Sequence, residues 1–117
     1  MNVNRAALEV LTRDRLPEDW GMAQNNLGFA LSDLASRSVG ERSEGYLEAS
    51  VEAFRASLSV FTEAHSPLRW YRTMRSLAGV YERQSRLAEA RTCYEQLLRH
   101  TPGDPIVQLK LRELSPH

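Results

Sequence analysis

The stretch from Tyr71 to Asp104, YRTMRSLAGVYERQSRLAEARTCYEQLLRHTPGD, decides the fold of this 117-residue chain. Its apolar residues recur every three or four positions, which is the spacing that places side chains on one face of an α-helix. The other segments between Gly and Pro breaks have the same periodicity, and no alternating strand pattern occurs. We therefore expect one all-α domain.

Six helices are predicted from this periodicity. Pro17, Pro67 and Pro105 stand where a first helical turn would begin, a position that tolerates the missing N–H of proline. Ser66 and Asp104 precede two of these prolines and are expected to act as N-caps. The predicted helices span about 3–15, 17–36, 45–64, 67–84, 87–100 and 105–114.

The chain repeats its own pattern at two offsets. Residues 6–31 set over 56–81, an offset of fifty, give seven identities in 26 positions: Ala6/Ala56, Leu8/Leu58, Val10/Val60, Thr12/Thr62, Pro17/Pro67, Trp20/Trp70 and Leu27/Leu77. An offset of forty pairs Leu47/Leu87, Ser50/Ala90, Phe54/Tyr94 and Leu58/Leu98. The polar stretch 35–45, ASRSVGERSEG, accounts for the difference of ten, and its two Gly predict a longer loop in the first unit.

The 34-residue stretch at 71–104 resembles a tetratricopeptide repeat. The pattern W-x2-L-G-x2-Y, A-x3-F and a closing Pro is matched by Leu77, Ala78, Tyr81, Ala90, Tyr94 and Pro102. Met74 stands in the Trp position and Leu97 in a usual Ala position. The earlier unit fits through QNNLGFAL and SVEAFRASL, with Leu27, Gly28, Leu31, Ser50 and Phe54 in the matching places.

This resemblance covers nearly the whole chain and implies a right-handed α-solenoid of about two and a half repeats. The first repeat would span 17–64 with its long loop at 35–45, and the second would span 67–100. A half-repeat helix at 3–15 would precede them, and a terminal helix at 105–114 would follow.

The resemblance also implies a concave groove that holds an extended peptide. Its residues would be Met22, Asn25, Asn26 and Phe29 on the second predicted helix, and Arg72, Arg75, Ser76 and Arg83 on the fourth. In such proteins an Asn at the place of Asn26 bonds the peptide backbone, and basic residues at places like Arg72 and Arg75 hold carboxylates. Ser76 replaces a second Asn, and Phe29 and Gly79 interrupt the polar row, so the full carboxylate clamp is not expected. An ordinary solvated helix face is the alternative.

Chemistry at a catalytic or metal centre is not expected. A single cysteine excludes a disulfide framework and a Cys-based zinc site, and Cys93 falls in a small-residue position where burial is expected. His65, His100 and His117 form no i, i+4 pair and no HExxH motif. Neither a Gly-rich phosphate loop nor G-x-S-x-G occurs, so we expect no enzyme, no catalytic residue, no metal and no cofactor.

A cytoplasmic location is expected because two kinds of segment are missing. No apolar run approaches the roughly 18 residues that span a bilayer. The first residues, MNVNRAALEVLTRDRL, carry Asn, Arg and Glu where the apolar core of a secretory signal would lie.

The formal net charge of zero hides an asymmetry between the halves. Residues 1–64 hold six Arg against ten acidic residues, and residues 65–117 hold nine Arg or Lys against five. The most favoured function is a protein-interaction module whose ligand is an extended or helical segment of a partner, acidic near the Arg-rich half. One alternative is nucleic-acid binding through that half, which zero net charge and the lack of interleaved exposed aromatics disfavour. Another is a purely structural segment of a longer repeat array, and the sequence leaves open whether the chain is a complete protein.

Self-association is a further expectation, because both predicted end helices are strongly apolar and each lacks its natural neighbour in a repeat array. The terminal stretch 105–114 contains Ile106, Val107, Leu109, Leu111 and Leu114. Pairing such a helix across a two-fold axis would bury its apolar face, so a homodimer is predicted.

Overall fold

The computed structural model describes residues 12–115. Within them the chain forms five α-helices and no strand, which confirms the all-α prediction. Four helices match the predicted bounds to within one residue, and only the second described helix differs in both of its ends. The helices are α1 Pro17–Ser36, α2 Gly40–Leu58, α3 Pro67–Arg83, α4 Leu87–His100 and α5 Pro105–Leu114.

The helix predicted over 3–15 lies mostly outside the described residues. Its described end, 12–15, forms a turn, so that part of the prediction is wrong. The Leu16 N–H donates to the Thr12 carbonyl at 2.9 Å, and the Thr12 hydroxyl accepts from the Arg15 N–H at 3.1 Å. Pro17 disfavours helical geometry at the residue before it, and Leu16 has φ −136° and ψ 67°.

The long loop predicted at 35–45 is also wrong. Only residues 37–39 separate α1 from α2, and α2 begins at Gly40 instead of residue 45. The polar stretch contains residues that favour a helix. Glu41 lies in the first turn of α2, where its negative charge interacts favourably with the positive end of the helix dipole. Ser43 then fixes the turn by donating from its hydroxyl to the Ala35 carbonyl at 2.9 Å.

The same helix ends at Leu58, six residues before its predicted end at 64. The Arg13 guanidinium donates to the Ser59 carbonyl at 3.1 Å and so satisfies a group that the ended helix leaves free. The turn that follows buries Phe61, which is 2% exposed, against α1. A Cβ added to Gly21 would come within 2.9 Å of the Phe61 ring.

Each helix packs against the next along the chain, and side-chain bonds link alternate helices. Thr73 on α3 donates to Asn25 on α1 at 3.1 Å, and Lys110 on α5 lies 3.3 Å from Glu82 on α3. These bonds join α1, α3 and α5 along one side of the molecule. On α2, Glu48 lies 3.6 Å from Arg86, the residue before α4.

The core runs from α1 through to α5. Its most deeply buried large side chains are Phe54, Leu97 and Val107, each with no exposed surface. Trp70 is buried, whereas Trp20, its counterpart fifty positions earlier, is only half-buried. The Asp104 side chain caps α5 as predicted, accepting from the N–H groups of the first turn. Ser66 precedes α3, but its hydroxyl makes no capping bond.

None of the helices in the described part of the chain is long and apolar enough to cross a membrane.

Candidate functional site

A groove runs between α1 and α3 on one side of the molecule. Two of its apolar side chains are strongly exposed: Phe29 on α1 is 48% exposed, and Leu68 on α3 is 62% exposed. We call this feature the α1/α3 groove. Its lining residues are Phe29, Leu68, Tyr71, Arg72, Arg75 and Ser76.

Helical spacing explains why α3 supplies most of this lining. Leu68, Arg72 and Ser76 follow one another at four-residue intervals, and Arg75 lies three residues after Arg72. Residues three and four apart share one helix face, so the sequence of α3 projects these side chains together. Opposite them, Phe29 packs its ring edge against buried Phe54 with 5.2 Å between ring centroids.

Among the residues that the structure describes, the lining of the α1/α3 groove contains two arginines and no acidic residue. Among the described residues, Arg72 and Arg75 form no ion pair and both side chains are exposed. A guanidinium offers several N–H donors in a planar fork that matches a carboxylate. The groove can therefore accept an anionic group beside exposed apolar surface.

Tyr71 joins one end of the groove to α5. Its hydroxyl donates to the Asp104 carboxylate, and this bond is the largest cause that lowers the Asp104 pKa. Backbone N–H donors of Val107 and Ile106 and the charge of Arg75 lower that pKa further, while desolvation opposes them. Burial is the largest cause that raises the pKa of Tyr71. Asp104 is thus held ionised beside the groove.

The other side chains expected in the groove lie in different surroundings. Asn25 accepts the hydrogen bond from Thr73, and Met22 contacts the Arg69 guanidinium through its sulfur, so both take part in the α1–α3 packing. Asn26 is exposed on α1 and does not line the groove.

Arg83 is tied to α1. Its guanidinium donates to the Ser32 hydroxyl at 2.8 Å, to the Ser32 carbonyl at 3.3 Å and to the Ser36 hydroxyl at 3.0 Å. The sequence pattern grouped it with Arg72 and Arg75 as a ligand-binding residue. These bonds give Arg83 a structural role at the end of α3, where it forms a fixed wall.

Several basic residues of the second half are likewise engaged with their neighbours. The guanidinium of Arg69 lies over the Phe61 ring at 5.1 Å. Arg86 bonds Glu89 at 3.0 Å, which raises the pKa of Arg86 and lowers that of Glu89. These contacts contrast with the unpaired Arg72 and Arg75 of the groove.

Two groove features were not found by sequence reasoning. Leu68 was not named, although it lies four residues before Arg72 and so shares its face. Tyr71 was not named either, although it is half-buried and lines the groove. Extending the four-residue series backward from Arg72 would have found Leu68, but the bond from Tyr71 to Asp104 spans 33 positions and has no local signal.

The remaining reactive side chains are built into the packing. Cys93 is 6% exposed, as predicted, and burial raises the pKa of its thiol to about 11. His100 lies 3.0 Å from Glu63 and packs its ring against Trp70 at 5.3 Å between centroids. Among residues 12–115, no cluster of three or more His, Cys, Asp or Glu side chains could hold a metal ion. His117 lies outside the described residues.

No protein-family model matches this chain, and neither a curated protein nor a solved structure matches it. Its function is therefore inferred from the geometry of the α1/α3 groove and from the repeat resemblance in the sequence.

Proposed function

We propose that this chain is a tetratricopeptide-like protein-interaction module that binds an acidic, extended peptide segment of a partner protein in the α1/α3 groove. The observation that carries the proposal is that exposed Phe29 and Leu68 lie in one groove with Arg72 and Arg75, which form no ion pair within residues 12–115. Exposed apolar surface rimmed by charge is typical of protein-binding sites.

The burial pattern supports two related helical units. Gly28 and Ala78, fifty positions apart, are both buried in α1 and α3. Ser50 and Ala90, forty positions apart in α2 and α4, have no exposed surface. In this proposal α1 with α2 and α3 with α4 are successive helix pairs of a right-handed solenoid, and α5 begins a third pair.

Charge supports a protein ligand over a nucleic acid. A strand of nucleic acid requires a continuous basic track with aromatic faces for stacking bases. Arg69, Arg83 and Arg86 are engaged with neighbouring side chains, and among the described residues the groove itself is lined by two cations, Arg72 and Arg75, beside apolar residues. Two guanidinium groups suit a short acidic motif.

Site-specific photo-cross-linking tests this function. A benzophenone amino acid replaces Leu68 in the groove, and the matched control carries it at Val39, which is 87% exposed between α1 and α2. We expect the Leu68 probe to capture, from native lysate, a protein whose mapped cross-linked peptide contains Asp or Glu beside an apolar residue. The same proteins captured at both positions, or nucleic acid captured at Leu68, would contradict the proposal.

A further inference from the structure

A small pocket continues the α1/α3 groove toward the C-terminal end of α3. Its volume is about 220 Å³, which exceeds the roughly 150 Å³ of an engineered apolar cavity that binds benzene in another protein. Its lining combines apolar residues with two serines and one arginine: Phe29, Ser32, Phe54, Ser76, Gly79, Val80 and Arg83. We call it the Gly79 pocket.

Gly79 keeps this pocket open. It lies inside α3, where glycine is less favourable than alanine, and a Cβ added there would meet nothing within 4 Å. Packing explains Gly28 and Gly21, because a Cβ at those positions would lie 2.7 Å and 2.9 Å from aromatic rings. No such contact explains Gly79, so this glycine lowers helix stability relative to alanine without a packing gain among the described residues.

The polar side chains that line the Gly79 pocket are hydrogen-bonded to other parts of the protein. Arg83 is bonded to Ser32 and Ser36, and the Ser76 hydroxyl donates to the Arg72 carbonyl at 3.1 Å. Phe29, which is 48% exposed, contributes apolar surface to the pocket, and Phe54 and Val80 border it while almost fully buried, at 0% and 3% exposed. An apolar side chain is therefore the chemical group that fits.

The distance from this pocket to the two groove arginines determines how far apart the apolar and acidic residues of a bound peptide must be. Gly79 lies four residues beyond Arg75 and seven beyond Arg72, or about 6 and 10 Å along the helix axis at 1.5 Å per residue. An extended peptide advances about 3.3 Å per residue. A carboxylate near either cation would belong to a residue two or three positions from the one in the pocket.

We propose that the Gly79 pocket is the specificity pocket of the α1/α3 groove and takes one apolar side chain of an extended peptide. An acidic residue two or three positions away bonds Arg72 or Arg75. This inference rests on the proposed peptide-binding function and adds the side-chain pattern that the groove selects.

The test uses a displayed library of random linear heptapeptides selected on the whole folded chain. Gly79→Met fills the pocket from the helix that forms it. Gly45→Met is the matched control, because Gly45 also lies inside a helix with nothing within 4 Å of an added Cβ. Circular dichroism melting verifies that each variant is folded.

We expect the unsubstituted chain and Gly45→Met to select peptides with an aliphatic or aromatic residue two or three positions from Asp or Glu. Gly79→Met is expected to keep the acidic preference and lose the apolar one. For a synthetic selected peptide, alanine at the apolar position should weaken binding about tenfold or more, since burial of one large apolar side chain is lost. The Gly79→Met variant should bind the selected peptide and its alanine derivative with equal affinity.

Each other outcome overturns a defined part of the proposal. If the unsubstituted chain and Gly79→Met select the same acidic peptides with no apolar preference, the proposed specificity pocket is contradicted, whereas peptide binding in the groove is supported. If no peptide is enriched, both the specificity pocket and peptide binding in the groove are contradicted. Displacement of the synthetic peptide by single-stranded RNA, or by unlabelled protein itself, would assign the groove to nucleic acid or to a second copy and so overturn the proposal.

Discussion

The Ser50 hydroxyl on α2 donates a hydrogen bond to the Gly28 carbonyl on α1 at 2.9 Å. The bond lies where the two helices pack with no side chain on one of them, since a Cβ on Gly28 would lie 2.7 Å from the Phe54 ring. A small residue with no exposed surface on α2 therefore faces a glycine on α1.

Gly28→Leu and Ala90→Leu are both expected to destabilise the fold strongly. Gly28 is buried against Phe54 and Ala90 has no exposed surface, so a larger side chain must displace packed neighbours. Overpacking of this kind costs about 1 to 3 kcal/mol. Urea unfolding followed by circular dichroism measures the change, and an unfolding midpoint equal to that of the unsubstituted chain would show that the helices do not cross at these positions.

Gly79→Ala should have the opposite sign. The added methyl group meets open space, and alanine gains about 0.5 to 1 kcal/mol over glycine in a helix interior. The expected result is a higher midpoint of thermal or urea unfolding, whereas Gly28→Ala lowers it. A lower midpoint for Gly79→Ala would mean that the Gly79 pocket is occupied within the chain.

Acid should weaken the fold in part through Asp104. Its folded pKa lies below the ordinary value of 3.8, chiefly because Tyr71 donates to it. The sign follows from linkage: the stabilisation is fully present above the unfolded pKa and is lost as the pH falls through the folded pKa. Asp104→Asn keeps an N-cap acceptor but removes this charge.

The difference in unfolding midpoint between the unsubstituted chain and Asp104→Asn is therefore expected to shrink below about pH 4. Urea titrations at a series of pH values measure it. The subtraction removes contributions from other carboxyls such as Glu89, whose pKa is also lowered. If the difference in unfolding midpoint does not change with pH, Asp104 does not contribute to unfolding by acid.

Weak self-association through the outer face of α5 stays a prediction. The helix buries Val107 completely but leaves Ile106 and Leu109 51% and 48% exposed. This patch is much smaller than the 20 to 30 residues a side of a standard interface, so only concentration-dependent pairing is expected. Light scattering of the unsubstituted chain and of Ile106→Lys/Leu109→Lys tests it, and identical masses for both at high concentration would exclude this face.

Local sequence pattern predicted the helices that begin with proline or follow a short break, because these signals act within one turn. It missed both ends of α2, since the early start depends on Ser43 bonding Ala35 and the early end depends on burying Phe61 against Gly21. These are contacts between residues far apart in the sequence, so the local pattern of residue types does not predict them.

The same distinction between local pattern and contacts between helices applies to the candidate site. Periodicity placed Arg72, Arg75 and Ser76 on one face of α3, and all three line the groove with Phe29. It could not separate the unpaired Arg72 from Arg83, whose bonds to Ser32 and Ser36 depend on how α1 and α3 lie together.

The most direct test of the groove is the affinity of an acidic peptide selected on the unsubstituted chain for Arg72→Glu/Arg75→Glu. Arg42→Glu/Arg99→Glu is the matched control, with the same charge change at two exposed positions outside the groove. Calorimetry should give more than about a tenfold loss for the groove variant, because charge-assisted bonds contribute about 1.5 to 3 kcal/mol each, and a much smaller loss for the control. Equal affinities for the two folded double variants would contradict binding in the α1/α3 groove.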